Sequence, residues 1–399
     1  MSHSLRRYAS PLDLVLGASL FLAVVLLPAV TGFRGTIPSI VLFVAIYLVL
    51  TLGLNIVVGF AGLLDIGYVV FMAFGAVTAA FLMSLTRTPD GSIDWRIGKT
   101  SPVLGDPVFD FAGSIFVILL AAGGACAILG ILRGIPTLRV TGDYYAIVTI
   151  GFAEIFYEMF LWDETTPFEG NRLNFSRFTG GAFPITLDRA NRPSLFGEVL
   201  DYSAWPFYYL VIACAFLTMI ATHHLNRSRT GRALAAIRLD ETAARSCGVN
   251  VTKTKLVAFA VSGFLGGIGG ALYSLWVGAV AVTSLNVWIS IIVLSCIVLG
   301  GMGSVRGVIL GTIVLAPLGE ILRKQIGGVT IPAEARFLVY GIILVALMRF
   351  RPQGLLPPNR RGEPLAEEDR MKRLLKPAPL FTLSPPARGP RREKEGGAS

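Results

Sequence analysis

The chain is poor in charge, in cysteine and in histidine. Only 15% of its 399 residues are Asp, Glu, Lys or Arg, against about 25% in a soluble domain. No charged residue occurs between Arg34 and Asp65, and none in the fifty residues between Lys255 and Arg306. A soluble core would be interrupted by polar turns well before that length, whereas a bilayer crossing needs about 20 apolar residues, so the second gap holds two crossings. Cys126, Cys214, Cys247 and Cys296 are far apart, with no CxxC or Cys/His spacing. That leaves no basis for a disulfide framework or a metal site. His3, His223 and His224 form no ligand pattern, and the adjacent pair reads as a helix end at a membrane interface. Catalytic signatures are missing too: there is no Gly-x-Ser-x-Gly elbow, HExxH or paired carboxylate. Gly98-Lys99-Thr100 is no nucleotide loop, because Ile93 stands where that motif needs glycine. The expectation is a chain that is not an enzyme, with no catalytic residue, metal or cofactor of its own.

What is present is apolar: 54% of residues are hydrophobic. The runs predict an all-α membrane bundle of about ten spans, at 12–31, 37–58, 66–86, 111–132, 142–162, 203–223, 256–278, 287–302, 304–322 and 333–350. Arg6 and Arg7 precede the first run, and no small-x-small cleavage site follows it, so it reads as a retained helix. The segment 224–255 holds seven Lys or Arg and two acids. Placing it in the cytosol puts both termini inside, together with Arg133 and Arg139 of the short loop 133–141. Loops 87–110 and 163–202 then lie outside. Arg323, Lys324 and Arg336 go against this charge bias. The net charge of +10 accordingly reads as cytosolic loops and a basic tail rather than as a nucleic-acid surface. Residues 1–350 form the membrane domain; 351–399, Pro-rich and basic, cannot bury a core and read as a disordered cytosolic tail that touches anionic lipid.

Glycine placement divides in two. Gly263/Gly267 and Gly266/Gly270, and the series Gly303, Gly307, Gly311, have the spacing that lets membrane helices pack closely. Gly59-Phe60-Ala61-Gly62 and Gly300-Gly301-Met302-Gly303 instead interrupt long apolar runs. Irregular backbone at membrane depth belongs where it is buried or lines a cavity, and paired interruptions in two halves of a chain point to a transport site. Glu154 and Glu158 share one helix face within a span. Glu154 is read either as meeting a substrate ammonium or closing a gate, or as an interhelical hydrogen bond. Asp65 and Asp143, near span ends, read as helix caps or ligand contacts.

The most specific stretch is 226–255. Asp240 is placed to cap a short helix with Glu241 in its first turn, Ala243 and Ala244 following, and Gly248 ending it. Glu241-Thr-Ala243-Ala244-Arg-Ser-Cys-Gly248 resembles the EAA loop of ABC importer permeases. Gly231-Arg-Ala-Leu-Ala-Ala-Ile-Arg238, the stretch from Gly53-Leu-Asn55 to Gly67, Leu138-Arg-Val-Thr-Gly142-Asp143-Tyr-Tyr, and Gly300-Gly-Met-Gly303-Ser-Val-Arg-Gly307 are similar to the branched-chain amino acid permeases in particular. The length and long external loop look like the LivM-type subunit, and the likeness runs from about residue 40 to 355. One departure is Phe183-Pro184, where the family's external segment usually carries Asn-Gly.

The resemblance implies a multi-pass subunit of the bacterial inner membrane. Its partners would be a second permease, two cytosolic ATPases that bind the ATP, and an external solute-binding protein that delivers the amino acid. Asp240, Glu241, Ala243, Ala244 and Gly248 would couple to the ATPase; Asn55, Gly59, Gly62, Glu154, Gly300 and Gly303 are the candidate substrate pathway. Two alternatives stand beside this reading: a urea or short-chain amide permease of the same fold, and an ion-coupled secondary transporter using Glu154.

Overall fold

The computed structural model describes residues 27–28, 32, 35–87, 93–94, 106–107, 114–138, 140, 143–161, 185–187, 192–195, 198–201, 204–323, 333–350 and 354–356. All of them belong to the unit Met1–Pro358. The span expected at 12–31 lies outside the described residues except for Leu27 and Pro28, as do most of the two long loops, including Phe183-Pro184, and the tail beyond 356.

The charge-free run after Gly35 folds as α1 (Thr36–Asn55), continued by one π-helical turn, Ile56–Phe60. Pro38 sits in its first turn, where a missing N–H leaves no helical bond unmade. Then follow α2 (Val69–Ser84), α3 (Ser114–Thr137), α4 (Asp143–Leu161) and α5 (Trp205–Arg227). Two short helices come next, α6 (Arg229–Leu239) and α7 (Glu241–Ser246), before α8 (Val251–Val277), α9 (Val287–Gly300), α10 (Val305–Arg323) and α11 (Ala333–Phe350). Among the described residues six helical segments are long and apolar enough to cross a membrane, and α2 is a shorter apolar helix.

The 27-residue α8 is the hub, packing on α1, α2 and α3. Its small residues make that possible. A Cβ at Gly263 or Gly267 would run into α3 at Cys126, one at Gly266 into Phe71 of α2, one at Gly270 into the Met72 carbonyl, and one at Gly269 into Leu50 of α1. Lipid supplies no hydrophobic drive between helices, so close backbone approach with dispersion contact holds them. Polar side chains add bonds at these seams: Ser262 Oγ donates to the Gly53 carbonyl (2.9 Å), and Thr51 and Thr312 hydroxyls pair at 2.9 Å between α1 and α10. Gly300, Gly307 and Gly311 bring α9 and α10 into backbone contact.

Short pairings supplement the all-α expectation. Among the described residues, the two-residue strands β1 (Thr86–Arg87), β2 (Ile93–Asp94), β3 (Asp106–Pro107), β4 (Ile185–Thr186), β5 (Ser194–Leu195), β6 (Glu198–Val199) and β7 (Ala279–Val280) pair in the orders β2-β1-β3, β4-β7 and β5-β6, satisfying backbone groups in the interhelical segments. Of these, β4 (Ile185–Thr186) pairs with β7 (Ala279–Val280), just past the end of α8. There Arg192 donates to Asp201 (2.7 Å) and to the Leu187 carbonyl (3.0 Å). The opposite end of α8 carries the α6–α7 arm.

Candidate functional site

The arm begins where Ser228 ends α5 and caps α6, accepting the Gly231 N–H at 3.2 Å. Leu234 and Ile237 are buried on its inner face. Asp240 then caps α7 as its sequence position predicts: Oδ1 accepts the N–H groups of Thr242 (2.8 Å) and Ala243 (3.0 Å). Gly248 ends the arm at φ +84°, a conformation that costs a side-chain-bearing residue but not glycine. The two alanines diverge. Ala244 is buried with Ile237 and Val251, while Ala243 faces solvent beside Thr242, Ser246, Cys247 and Gly248. Glu241 turns inward: its carboxylate accepts Lys255 Nζ at 2.7 Å and Arg245 at 3.2 Å. Lys255, counted from sequence among the solvated loop cations, is only 7% exposed. Glu241 thereby ties α7 to the first turns of α8, and small residues together with Asp240 and Arg245 are left as the outward surface.

The two glycine interruptions meet each other. The first is the π turn at 56–60, followed by Gly62 at φ +74°; the second is the turn between α9 and α10, with Gly301 at φ +112° and Gly303 at φ +90°. The Gly303 N–H donates to Asn55 Oδ1 at 3.0 Å, and a Cβ on Gly59 would fall 2.6 Å from the Gly303 nitrogen. Arg238, the last cation of α6, reaches into this contact and donates to the Gly59 carbonyl. Asn55 and Gly59 are buried, and the Asn55 amide nitrogen has no hydrogen-bond partner among the described residues. Gly300 lies against Gly307 instead. Leu355 and Leu356, which the sequence assigns to the tail, donate their N–H groups to the carbonyls of Leu299 (2.8 Å) and Gly300 (3.0 Å).

Glu154 is not part of this cluster. It lies with Glu158 on the exposed face of α4, which packs on α2, α3 and the turn 282–284. Asp65 neither caps a helix nor stands open to a ligand. It is fully buried and ion-paired with Arg133, whose guanidinium also donates to the Gly67 carbonyl (3.2 Å) and stacks on Phe71 at 4.3 Å. Arg133 is therefore inside α3, not in a loop at 133–141, its charge neutralised by Asp65 of the segment 61–68 that joins the π turn to α2. The side chain of Asp143 lies outside the described residues.

Helices long and apolar enough to cross a membrane, carrying a capped arm, are what the chain shows by itself; comparison with known proteins says more. Residues 36–348 match the family described as branched-chain amino acid transport system, permease component. The chain belongs to this permease family. It is 34% identical over 349 residues to the high-affinity branched-chain amino acid transport system permease protein LivM of Escherichia coli (strain K12), covering 82% of this chain and 71% of that one. It is 24% identical over 343 residues to the probable branched-chain amino acid transport permease protein LivM of Methanocaldococcus jannaschii (80% and 93%). It is 25% identical over 285 residues to the autoinducer 2 import system permease protein LsrC of Enterobacter sp. (strain 638) (70% and 74%). No solved structure matches. The permease is thus a membrane protein and one member of a transporter complex with other ABC subunits.

Sequence reasoning missed helix α6 and three buried or half-buried cations, Arg133, Arg238 and Lys255. Leu234 and Ile237, three residues apart after a Ser–Gly cap, were a usable signal for α6. The cations' partners lie 68, 179 and 14 residues away in sequence, so no local pattern announces them.

Proposed function

We propose that this permease carries branched-chain amino acids inward across the bacterial inner membrane as one subunit of an ATP-driven importer. The observation that carries the reading is the family match over 36–348, which takes in the bundle and the capped arm together. Relatives named for branched-chain amino acid transport support that substrate class.

In this reading the chain crosses the membrane about ten times with both termini in the cytosol, and a second permease completes the pore. Two ATPases bind the ATP and receive the arm 240–248; an external binding protein delivers the solute. The chain itself performs no chemistry. The exposed surface of Thr242, Ala243, Ser246, Cys247 and Gly248, with the exposed Arg245 beside it, suits a groove on an ATPase, since small side chains let a short helix seat closely and the arginine supplies a charge to pair. The outward face of α4 turns to the second permease. A carboxylate such as Glu154 at membrane depth costs about 3 kcal/mol against lipid, and a polar pathway between two permeases removes that cost. Asn55, Gly59, Gly62, Gly300 and Gly303 form the opposite, arm-side part of the same pathway, where turns rather than rigid helix let the backbone shift.

The test is uptake into proteoliposomes holding the chain, its second permease and both ATPases, with the binding protein outside. Leucine, isoleucine and valine uptake is expected only with internal ATP. Uptake of urea alone would move the substrate class, and uptake without ATP would defeat the importer reading.

A further inference from the structure

The arm and the glycine interruptions are joined by one side chain. Arg238 leaves the last turn of α6, lies against Gly62 and donates to the carbonyl of Gly59. The final carbonyls of a helix lack donors from a following turn, and Arg238 provides one at the point where α1 stops. The same guanidinium borders the second interruption: a Cβ on Gly303 would fall 2.9 Å from Arg238 Nη1 and 2.8 Å from the Gly59 oxygen. A Cβ on Gly62 would fall 2.8 Å from Arg238 Cγ. Both glycines hold positive φ, so the slot around this arginine exists only because two left-handed positions lack side chains. α6 itself is seated through Leu234 and Ile237 and packs on the π turn at 56–60 and on α8. A movement of the arm cannot leave Arg238 behind, and Arg238 cannot move without disturbing both turns.

We propose that Arg238 is a positioning residue for transport, delivering displacement of the α6–α7 arm to the paired turns at 59–62 and 301–303. This rests on the reading above, in which the arm receives an ATPase. Coupling needs an element with two arrangements that both sites bias. The paired turns are suited to that part: π turns and left-handed glycines rearrange with less loss of helical bonding than a continuous span does. Asn55, bonded to Gly303 through its oxygen while its buried amide nitrogen has no partner among the described residues, has a donor available for a second arrangement.

The experiment uses the full reconstituted complex and compares the unaltered chain with Arg238→Ala and Arg238→Lys, recording ATP hydrolysis and leucine uptake in the same vesicles. Loss of a charge-assisted bond changes the equilibrium it supports by about tenfold. Arg238→Ala is therefore expected to hydrolyse ATP near the unaltered rate while uptake per ATP falls about tenfold. A lysine keeps the charge and can still donate, but from a single nitrogen on a shorter reach, so Arg238→Lys should lose less, about threefold. A second readout follows the turn itself: with the exposed thiol of Cys247 removed by Cys247→Ser, labelling of a Met302→Cys thiol should change on addition of ATP and vanadate in the otherwise unaltered complex and not with Arg238→Ala. Unchanged uptake per ATP in both variants, or nucleotide-dependent labelling at 302 that survives Arg238→Ala, overturns the role. Should Arg238→Ala fail to assemble, Arg238→Lys decides: a lowered ratio supports the role and an unchanged ratio overturns it. Absence of ATP-dependent uptake in the unaltered complex would overturn the importer reading, and this role with it.

Discussion

Asp65 and Arg133 form a buried pair whose members come from the segment between α1 and α2 and from inside α3. Neither charge could remain there alone. Gly67 contributes at both poles, its N–H to Asp65 at 3.1 Å and its carbonyl to Arg133, and Phe71 presents its ring face to the guanidinium. Truncating one partner of a buried pair leaves an uncompensated charge at a cost of about 3–5 kcal/mol. Asp65→Ala and Arg133→Ala should each lower the melting temperature of the purified chain in detergent sharply. The double variant should lose no more than the worse single, because the second truncation removes the orphan charge. Losses that simply add would show that the two residues stabilise the protein independently.

At the scale of elements, α7 is six residues long and cannot be stable by its own helical bonds. It is held by a cap at Asp240, a glycine stop, the burial of Ala244 and the tether from Glu241 to Lys255. Glu241 is 36% exposed, so the tether is screened and is worth about 1 kcal/mol, or roughly fivefold in a linked equilibrium. Glu241→Gln should leave membrane insertion and yield intact while lowering uptake per ATP about fivefold. Equal falls in hydrolysis and uptake would mean that the variant loses ATPase docking instead of alignment.

For the whole molecule, the exposed surface of the arm sets a labelling pattern. Cys126 and Cys296 are buried and Cys214 is half-buried in a span, whereas Cys247 is exposed beside Gly248. A membrane-impermeant maleimide offered from the arm side should modify Cys247 first in the isolated chain. Assembly with the ATPases should slow that reaction markedly. Labelling that is equally fast in the full complex would remove this surface from the ATPase contact. The outer faces of α3 and α5, with Phe116, Leu120, Leu132 and Leu217 exposed, are apolar; in a bilayer such faces need no further cover, unlike the Glu154 face of α4.

The sequence by itself determined the membrane class, the positions of the helices now seen from α1 to α11 (α6 excepted), and the capped arm at 240–248. Each of these depends on local chemistry: apolar run length, a side-chain oxygen at a helix start, a glycine after its end. It also marked both glycine interruptions as unusual. Only the tertiary structure decided that those interruptions touch, that Arg238 lies between them, and that Glu241 faces Lys255. The tertiary structure likewise put Arg133 inside the bundle and Glu154 outside it. An apolar span has little contrast around its circumference, so periodicity does not tell its inner face from its outer one. The partners of buried charges are chosen by helix packing across large sequence separations, and that choice is made only when the helices meet.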